Sequence, residues 1–319
     1  MIAYVARRLA YIVPTWVGIT LLAFLLSTLA PGDAARQFFI RTNGRPPSAE
    51  ELAVVRERFD LADPLPQRYL HWLGRAIRGD LGVSYSTGEP VTKELITRFP
   101  ATLELAVTAT LLALLIAIPL GILAAVRRNS VLDQVLRGAA LVAASIPGFW
   151  LALLLIILFS VRLKILPAFG RGGIDSLILP ALALGLSDAA VVARLTRSSL
   201  LEVLGQDYIT TARAKGISEA AVIVRHGLRN ALGAVITEAG LLLAYFLAYS
   251  AIVEVIFVWP GIGRLAVGAI GQRDYNMIQG FVVFAGSVFV LINLLVDLAY
   301  LWLDPRIVLT GGGEERVSA

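Results

Sequence analysis

The uncharged runs constrain this chain most. Residues 9–32 form 24 consecutive positions without a charge. A helix of about 20 apolar residues crosses the ~30 Å hydrocarbon core of a bilayer. Three further runs are of similar length: residues 105–126, 138–161 and 275–296. Two weaker ones carry acids: 176–193 contains Asp188, and 231–258 contains Glu238 and Glu254. Apolar sequence on every side of a helix, at these lengths, predicts spanning helices, six in all. The first run exceeds the ~7–15 apolar residues of a signal peptide and has no convincing small-x-small cleavage site. It therefore reads as a retained anchor.

Composition agrees. Hydrophobic residues make up 57% of the 319, charged residues 16%, and the mean hydropathy is +0.77. Soluble domains hold about 45–50% apolar and ~25% charged residues. A globule could not hide this much apolar surface, which excludes a secreted enzyme, a cytosolic enzyme and a disordered regulator. The net charge of +5 comes from basic residues at the ends of apolar runs, as in a membrane protein, so nucleic acid is not the implied partner.

The residues for catalysis are missing from the pattern. With no cysteine there is no disulfide, thiol nucleophile or Cys-held metal, and His71 and His226 are too far apart in sequence to suggest a metal pair. There is no G-x-x-x-x-G-K-[ST] to cradle phosphates. Gly261-Ile262-Gly263 is part of a dinucleotide fingerprint, but it follows a span rather than a strand. Neither H-E-x-x-H nor G-x-S-x-G occurs. No catalytic residue, cofactor site or metal site is therefore assigned.

Sidedness follows from Lys and Arg in the loops. With the N-terminus inside, thirteen basic residues face inward and five lie in short outer loops. The other ten sit in the segment 33–99 beside nine acids, and loops of that length do not set the bias. Both termini are thus expected inside. In the long outer segment, Ser48-x-x-Glu51 is a capping box opening a helix. Leu52, Val55 and Phe59 share one face of it, and a second amphipathic stretch carries Tyr69, Trp72, Leu73 and Ile77. A folded cap is the expectation, a membrane-surface helix the alternative.

Among intramembrane acids, Asp188 is the deepest. It lines a water-filled path or pairs with a neighbouring Arg. Asp297 lies near the inner end of its span, where interfacial water solvates it.

The most informative stretch lies inside, from Leu200 to Leu232. Residues 201–215 read as one helix. Gly216 suits the position that ends a helix at positive φ, and Ser218 is placed to cap the next. Thr210, Thr211, Ala212, Ala214 and Gly216 are small enough for a partner to approach closely, and Arg213 and Lys215 add charge. The residues alone leave two readings open: a docking helix, or an amphipathic helix on anionic lipid.

Here the chain resembles the cytoplasmic coupling loop of ABC importer permeases, whose pattern is E-A-A-x-x-x-G. Thr210-Thr211-Ala212 stands at the E-A-A positions and Gly216 at the glycine. The string "DYITTARAKG…RHGLRNAL" is similar to the dipeptide/oligopeptide/nickel branch. The resemblance continues through residues 14–33, 65–91, 98–106, 145–160, 257–280 and 303–307, nearly the whole chain, and favours the first of the two permeases in such systems. Two departures stand out: Ala34 and Ala234 occupy places where the branch commonly has proline.

The resemblance implies an all-α, six-span type I importer permease in the cell membrane. Residues 1–32 would be an anchor helix, 33–97 an external region, 98–303 the transmembrane domain with a coupling loop at about 200–232, and 304–319 a cytoplasmic tail. Its implied partners are the lipid bilayer, a second homologous permease, two ATP-binding subunits that hydrolyse the ATP, and an external substrate-binding protein. Coupling to the ATPase would run through Tyr208, Thr210, Thr211, Ala212, Arg213, Ala214, Lys215 and Gly216, with Asp188 on the path. Relatives carry peptides, nickel, glutathione or sugars, and di- or oligopeptides are the expectation here. The competing functions are a stand-alone secondary transporter or channel, which would show matching broken helices in two halves, and a membrane-embedded enzyme. Pro147 breaks the third span without a counterpart, and no reactive constellation is visible.

Overall fold

The computed structural model describes residues 2–29, 34–58 and 63–303. Phe59, Asp33 and the tail 304–319 lie outside these residues, and so does the side chain of Asp297.

The described chain is helical, in the order α1 (Ile2–Leu29), α2 (Ala34–Asn43), α3 (Ala49–Arg58), α4 (Leu65–Ile77), α5 (Val91–Val126), α6 (Val131–Ser145), α7 (Gly148–Leu155), α8 (Ile174–Leu204), α9 (Asp207–Ala214), α10 (Glu219–Ala221), α11 (Arg229–Tyr249), α12 (Ala251–Ile256), α13 (Ile262–Gln272) and α14 (Tyr275–Leu303). Wider π-helical turns extend α7 through Ile156–Arg162 and join α10 to α11 through Val222–Leu228.

Inside a bilayer every polar group needs an internal partner. The hydroxyls of the long helices find theirs one turn back. Thr15, Thr28, Thr110 and Thr196 each donate to the carbonyl four residues earlier, on Tyr11, Phe24, Ala106 and Val192.

Five helices, or helices with their π extensions, are long and apolar enough to cross a membrane. The third expected span, 138–161, differs: it is two helices, α6 and α7 with its extension, bent by 101°. Pro147 is the cause. It cannot donate to the helix ladder, and it drives the residue before it out of the helical region. Ile146 accordingly sits at φ −81°, ψ 123°.

This bent pair still counts as one crossing. A Cβ on Gly185 would stand 2.7 Å from Ala109 O, and one on Gly121 would stand 2.6 Å from Ala193 O. Residue numbers therefore rise together along α5 and α8, so the two helices run parallel. The chain between them has to return across the membrane, and α6–α7 is the only helical segment available among the described residues. Six crossings result.

The fifth expected span, 231–258, also divides, at Ser250. Its hydroxyl donates to the buried Glu254 carboxylate at 2.9 Å, which places the acid within protein rather than lipid.

The described residues form two compact units, Met1–Thr102 with Pro260–Leu291, and Leu103–Trp259 with Ile292–Ala319. The first gathers α1, α4, α5, α13 and α14 around Phe24, Trp72, Leu81, Leu95, Ile262 and Met277. The Ser48 box forms as expected: Ser48 N donates to Glu51 Oε2 at 2.8 Å, and Glu51 N donates to Ser48 Oγ at 3.2 Å. In α4, Tyr69, Trp72 and Leu73 pack on that core, but Ile77 is 67% exposed. Five residues beyond Trp72, it has turned about 140° around the helix. Helices α1 and α14 of this unit are antiparallel: Trp16 Nε1 donates to Ser287 Oγ at 2.9 Å, and the Ser27 hydroxyl meets the Gln279 amide at 3.0 Å.

Candidate coupling site

The second unit holds the loop between α8 and α11. The ends of three spans converge there, where Ala125 of α5, Leu200 of α8 and Ala231 of α11 are buried together. Gly227 permits the approach, since a Cβ on it would stand 3.1 Å from Leu200 and 3.3 Å from Leu204.

The expected single helix over 201–215 is two. The span helix α8 runs on to Leu204 and is capped at Gly205, whose N–H donates to Glu202 O at 3.2 Å. Gln206 is extended, at φ −78° and ψ 152°, and the short helix α9 starts at Asp207. A glycine at the end of an apolar helix is a stop signal, and Asp207 suits the positive end of the next.

Helix α9 ends as its sequence predicts. Gly216 sits at φ +78°. Its N–H donates to Arg213 O at 2.9 Å and the Ile217 N–H donates to Ala212 O at 3.4 Å, the paired bonds of a Schellman ending. Ser218 occupies the cap position of α10, but its side chain makes no cap bond. Instead Arg213 bridges the two helices: Nε donates to Glu219 Oε2 at 3.0 Å and Nη2 to Oε1 at 2.7 Å.

The eight residues named for coupling divide between two faces. Ala212 points inward with Ile209; both are buried on Val222, beside Leu204. Its small side chain serves an internal contact, so close approach of a partner to that residue is not what its size provides. Tyr208, Thr210, Thr211, Arg213, Ala214, Lys215 and Gly216 are exposed. Among them Tyr208, Thr211 and Lys215 are three and four residues apart, hence on one stripe. The Tyr208 hydroxyl accepts a hydrogen bond from Asn230 Nδ2 at 2.8 Å, which ties α9 to the start of α11. Asp188 lies apart from this cluster, half-buried on α8. No arginine pairs with it among the described residues.

Sequence reasoning missed three contributors: Val222, Asn230 and the Asp133–Arg197 pair. Asp133 opens α6 in the first turn. Ser130 Oγ accepts from its N–H at 3.2 Å, and its carboxylate accepts from Asn129 N at 3.0 Å. The spacing Ser130-x-x-Asp133 is a capping signature and would have flagged it. Nothing local flags Val222 or Asn230, which matter through contacts made across the loop.

With this geometry in view, the comparisons are decisive. The family described as "Binding-protein-dependent transport system inner membrane component" matches residues 117–309, and its N-terminal companion matches residues 1–106. The chain belongs to this family. It is a membrane-embedded permease subunit of the binding-protein-dependent importers. The dipeptide transport system permease protein DppB of Escherichia coli (strain K12) is 40% identical over 338 residues, covering 96% of this permease and 99% of that protein. The glutathione transport system permease protein GsiC of Salmonella typhi is 42% identical over 307 residues, at 96% and 99% coverage. In fold, the permease is similar to a chain of the MetNI methionine ABC transporter in inward-facing form. The TM-score is 0.56 at 21% identity, over 66% of this chain and 96% of that one. The MetI-like type I fold expected from sequence is therefore present, and the stand-alone transporter is not supported.

Proposed function

We propose that this permease imports short peptides and forms half of the translocation path. A second homologous permease supplies the other half, two separate ATP-binding subunits dock beneath, and an external substrate-binding protein delivers the ligand. The support for peptides is the level of identity to dipeptide and glutathione permeases, glutathione being itself a short peptide. The inward excess of Lys and Arg and the even number of crossings support placing both termini inside.

The observation that carries the coupling role is the build of α9. It is an eight-residue helix, closed sharply at Gly216, with its inner face fastened and its outer face free. Its outer stripe of Tyr208, Thr211 and Lys215 enters a groove of the ATPase subunit. Closure of the ATPase pair then displaces α9. Ile209 and Ala212 pack on Val222, and Tyr208 is bonded to Asn230. The displacement is therefore passed to the ends of α8 and α11 as rigid-body motion, and the path turns outward. Asp188 on α8 lines that path.

Reconstitution with the partner subunits tests the reading. Dipeptide uptake into liposomes is expected to require ATP and the binding protein, and the isolated chain is expected not to hydrolyse ATP. A complex that hydrolyses ATP but imports no di- or tripeptide would overturn the peptide assignment.

A further inference from the structure

The first compact unit encloses a cavity of about 180 Å³ between the outer end of α1, helix α4 and the start of α14. Phe24 and Trp72 form an aromatic wall. Arg68 and Arg75 line it from α4, where with Trp72 they lie four and three residues apart and so share one face. The Arg68 guanidinium lies 5.9 Å from the centre of the Phe24 ring. Neither arginine forms an ion pair with an acid among the described residues. Asp80, the one acid among the described residues on the wall, is engaged locally, accepting from Gly82 N at 2.9 Å.

Gln279, on α14, also lines the cavity; its amide meets the Ser27 hydroxyl at 3.0 Å, and that hydroxyl gives its own proton to Phe24 O at 2.9 Å.

Two guanidinium groups on one face of a cavity suit an anion. The aromatic wall wants an apolar body attached to it. A carboxylate suits the set, because its two coplanar oxygens match the fork of a guanidinium. The cavity is smaller than the ~300–1,000 Å³ that holds a whole drug-sized ligand, so it is sized for one end of a molecule. We propose that this cavity recognises the C-terminal carboxylate and terminal side chain of a short peptide. The assignment rests on the peptide reading of the function. It adds a selectivity site in the permease itself, outside Asp188 and the coupling helix.

The test is equilibrium binding of labelled alanyl-phenylalanine, and of its C-terminal amide, to the purified importer without the binding protein. The free acid is expected to bind about tenfold tighter than the amide, the loss typical of removing a charge-assisted hydrogen bond. Arg68→Gln and Arg75→Gln should each bring the acid close to the affinity of the amide and leave the amide unchanged. Arg78→Gln, just past the end of α4 and off the cavity, should change neither. Equal binding of acid and amide by the wild type, or undiminished discrimination in the two arginine variants, would overturn the proposal. Peptide uptake that persists without acid preference would remove this site alone. Acid preference in an importer that carries no peptide would remove the transport reading and leave a carboxylate site.

Discussion

Arg197 on α8 grips Asp133 in the first turn of α6 with two bonds of 2.8 Å each, Nε to Oδ1 and Nη2 to Oδ2. The carboxylate side chain is wholly buried, and Arg137 approaches it at 3.5 Å from one turn further along α6. The pair pins the start of the bent crossing to the straight helix that leads into the coupling loop. A buried charge that loses its partner is left uncompensated, whereas two well-packed apolar side chains in its place are tolerated. Arg197→Ala is expected to lower the thermal midpoint of the purified permease by several degrees, and Arg137→Ala by much less. The double change Asp133→Leu, Arg197→Met should recover most of the loss. Equal effects of the two arginine variants would show that the pair carries no special weight.

Gly216 and Ala212 should fail in different ways. No atom lies within 4 Å of a Cβ built on Gly216, so a side chain there is opposed only by its φ of +78°. Gly216→Val should cost about 1–2 kcal/mol locally, and Gly216→Asn much less, since asparagine visits this region more readily. Ala212→Trp must displace α9 from Val222. The valine variant is expected to insert normally and to reduce co-purification of the ATPase or uncouple its hydrolysis. The tryptophan variant is expected to lose protein stability as well. Lys164→Ala, in the loop before α8, should do neither. Wild-type coupling in both loop variants would leave α9 as a lipid-binding surface helix.

The parallel crossing of α5 and α8 depends on two glycines. A Cβ at 2.6–2.7 Å from a backbone oxygen forces the helices apart. Gly121→Ala and Gly185→Ala should each destabilise the permease by about 1–3 kcal/mol, a typical cost of overpacking. Gly138→Ala and Gly233→Ala, with nothing within 4 Å, are the controls. Unchanged unfolding midpoints in the first pair would contradict the close crossing.

Orientation can be read with cysteine labelling, because the chain has no native cysteine. In intact cells, a membrane-impermeant thiol reagent should label Val54→Cys, on the exposed side of α3, and spare Ala220→Cys on α10. The reverse pattern would invert the topology.

Tyr85, between α4 and α5, gives the permease an alkaline limit. Burial, reinforced by the nearby Asp274 carboxylate, pushes its phenol up to about 12. An exposed tyrosine ionises near 10. Between those values the unfolded chain loses the proton and the folded chain keeps it. The stabilisation is thus complete below about pH 10 and is lost as pH rises towards 12, to a limit of about 2–3 kcal/mol. Tyr85→Phe should flatten this part of the stability profile. A variant with the same alkaline loss as the wild type would place the titration elsewhere.

Much of this architecture was legible in residue order because the physics behind it is local. Uncharged length alone marks residues 9–32 as a span, and the Ser48-x-x-Glu51 spacing marks the opening of α3. Gly216 marks the end of α9 because only a residue without a Cβ takes φ +78° without strain. Pro147 announces a break, though not its angle, which packing of α7 against its neighbours settles at 101°. Other features had no local signature. Ala212 looks like a contact for a partner until Val222, ten positions on, is seen to cover it. Asp133 meets Arg197 across 64 positions, and Gln279 meets Ser27 across 252. Hydropathy and capping depend on a few neighbouring residues, so the sequence by itself determined which stretches are helical and apolar enough to span, though not the divisions at Gly205 and Ser250. Burial, pairing and cavities depend on which distant faces are pressed together, and for these only the tertiary structure decided the outcome.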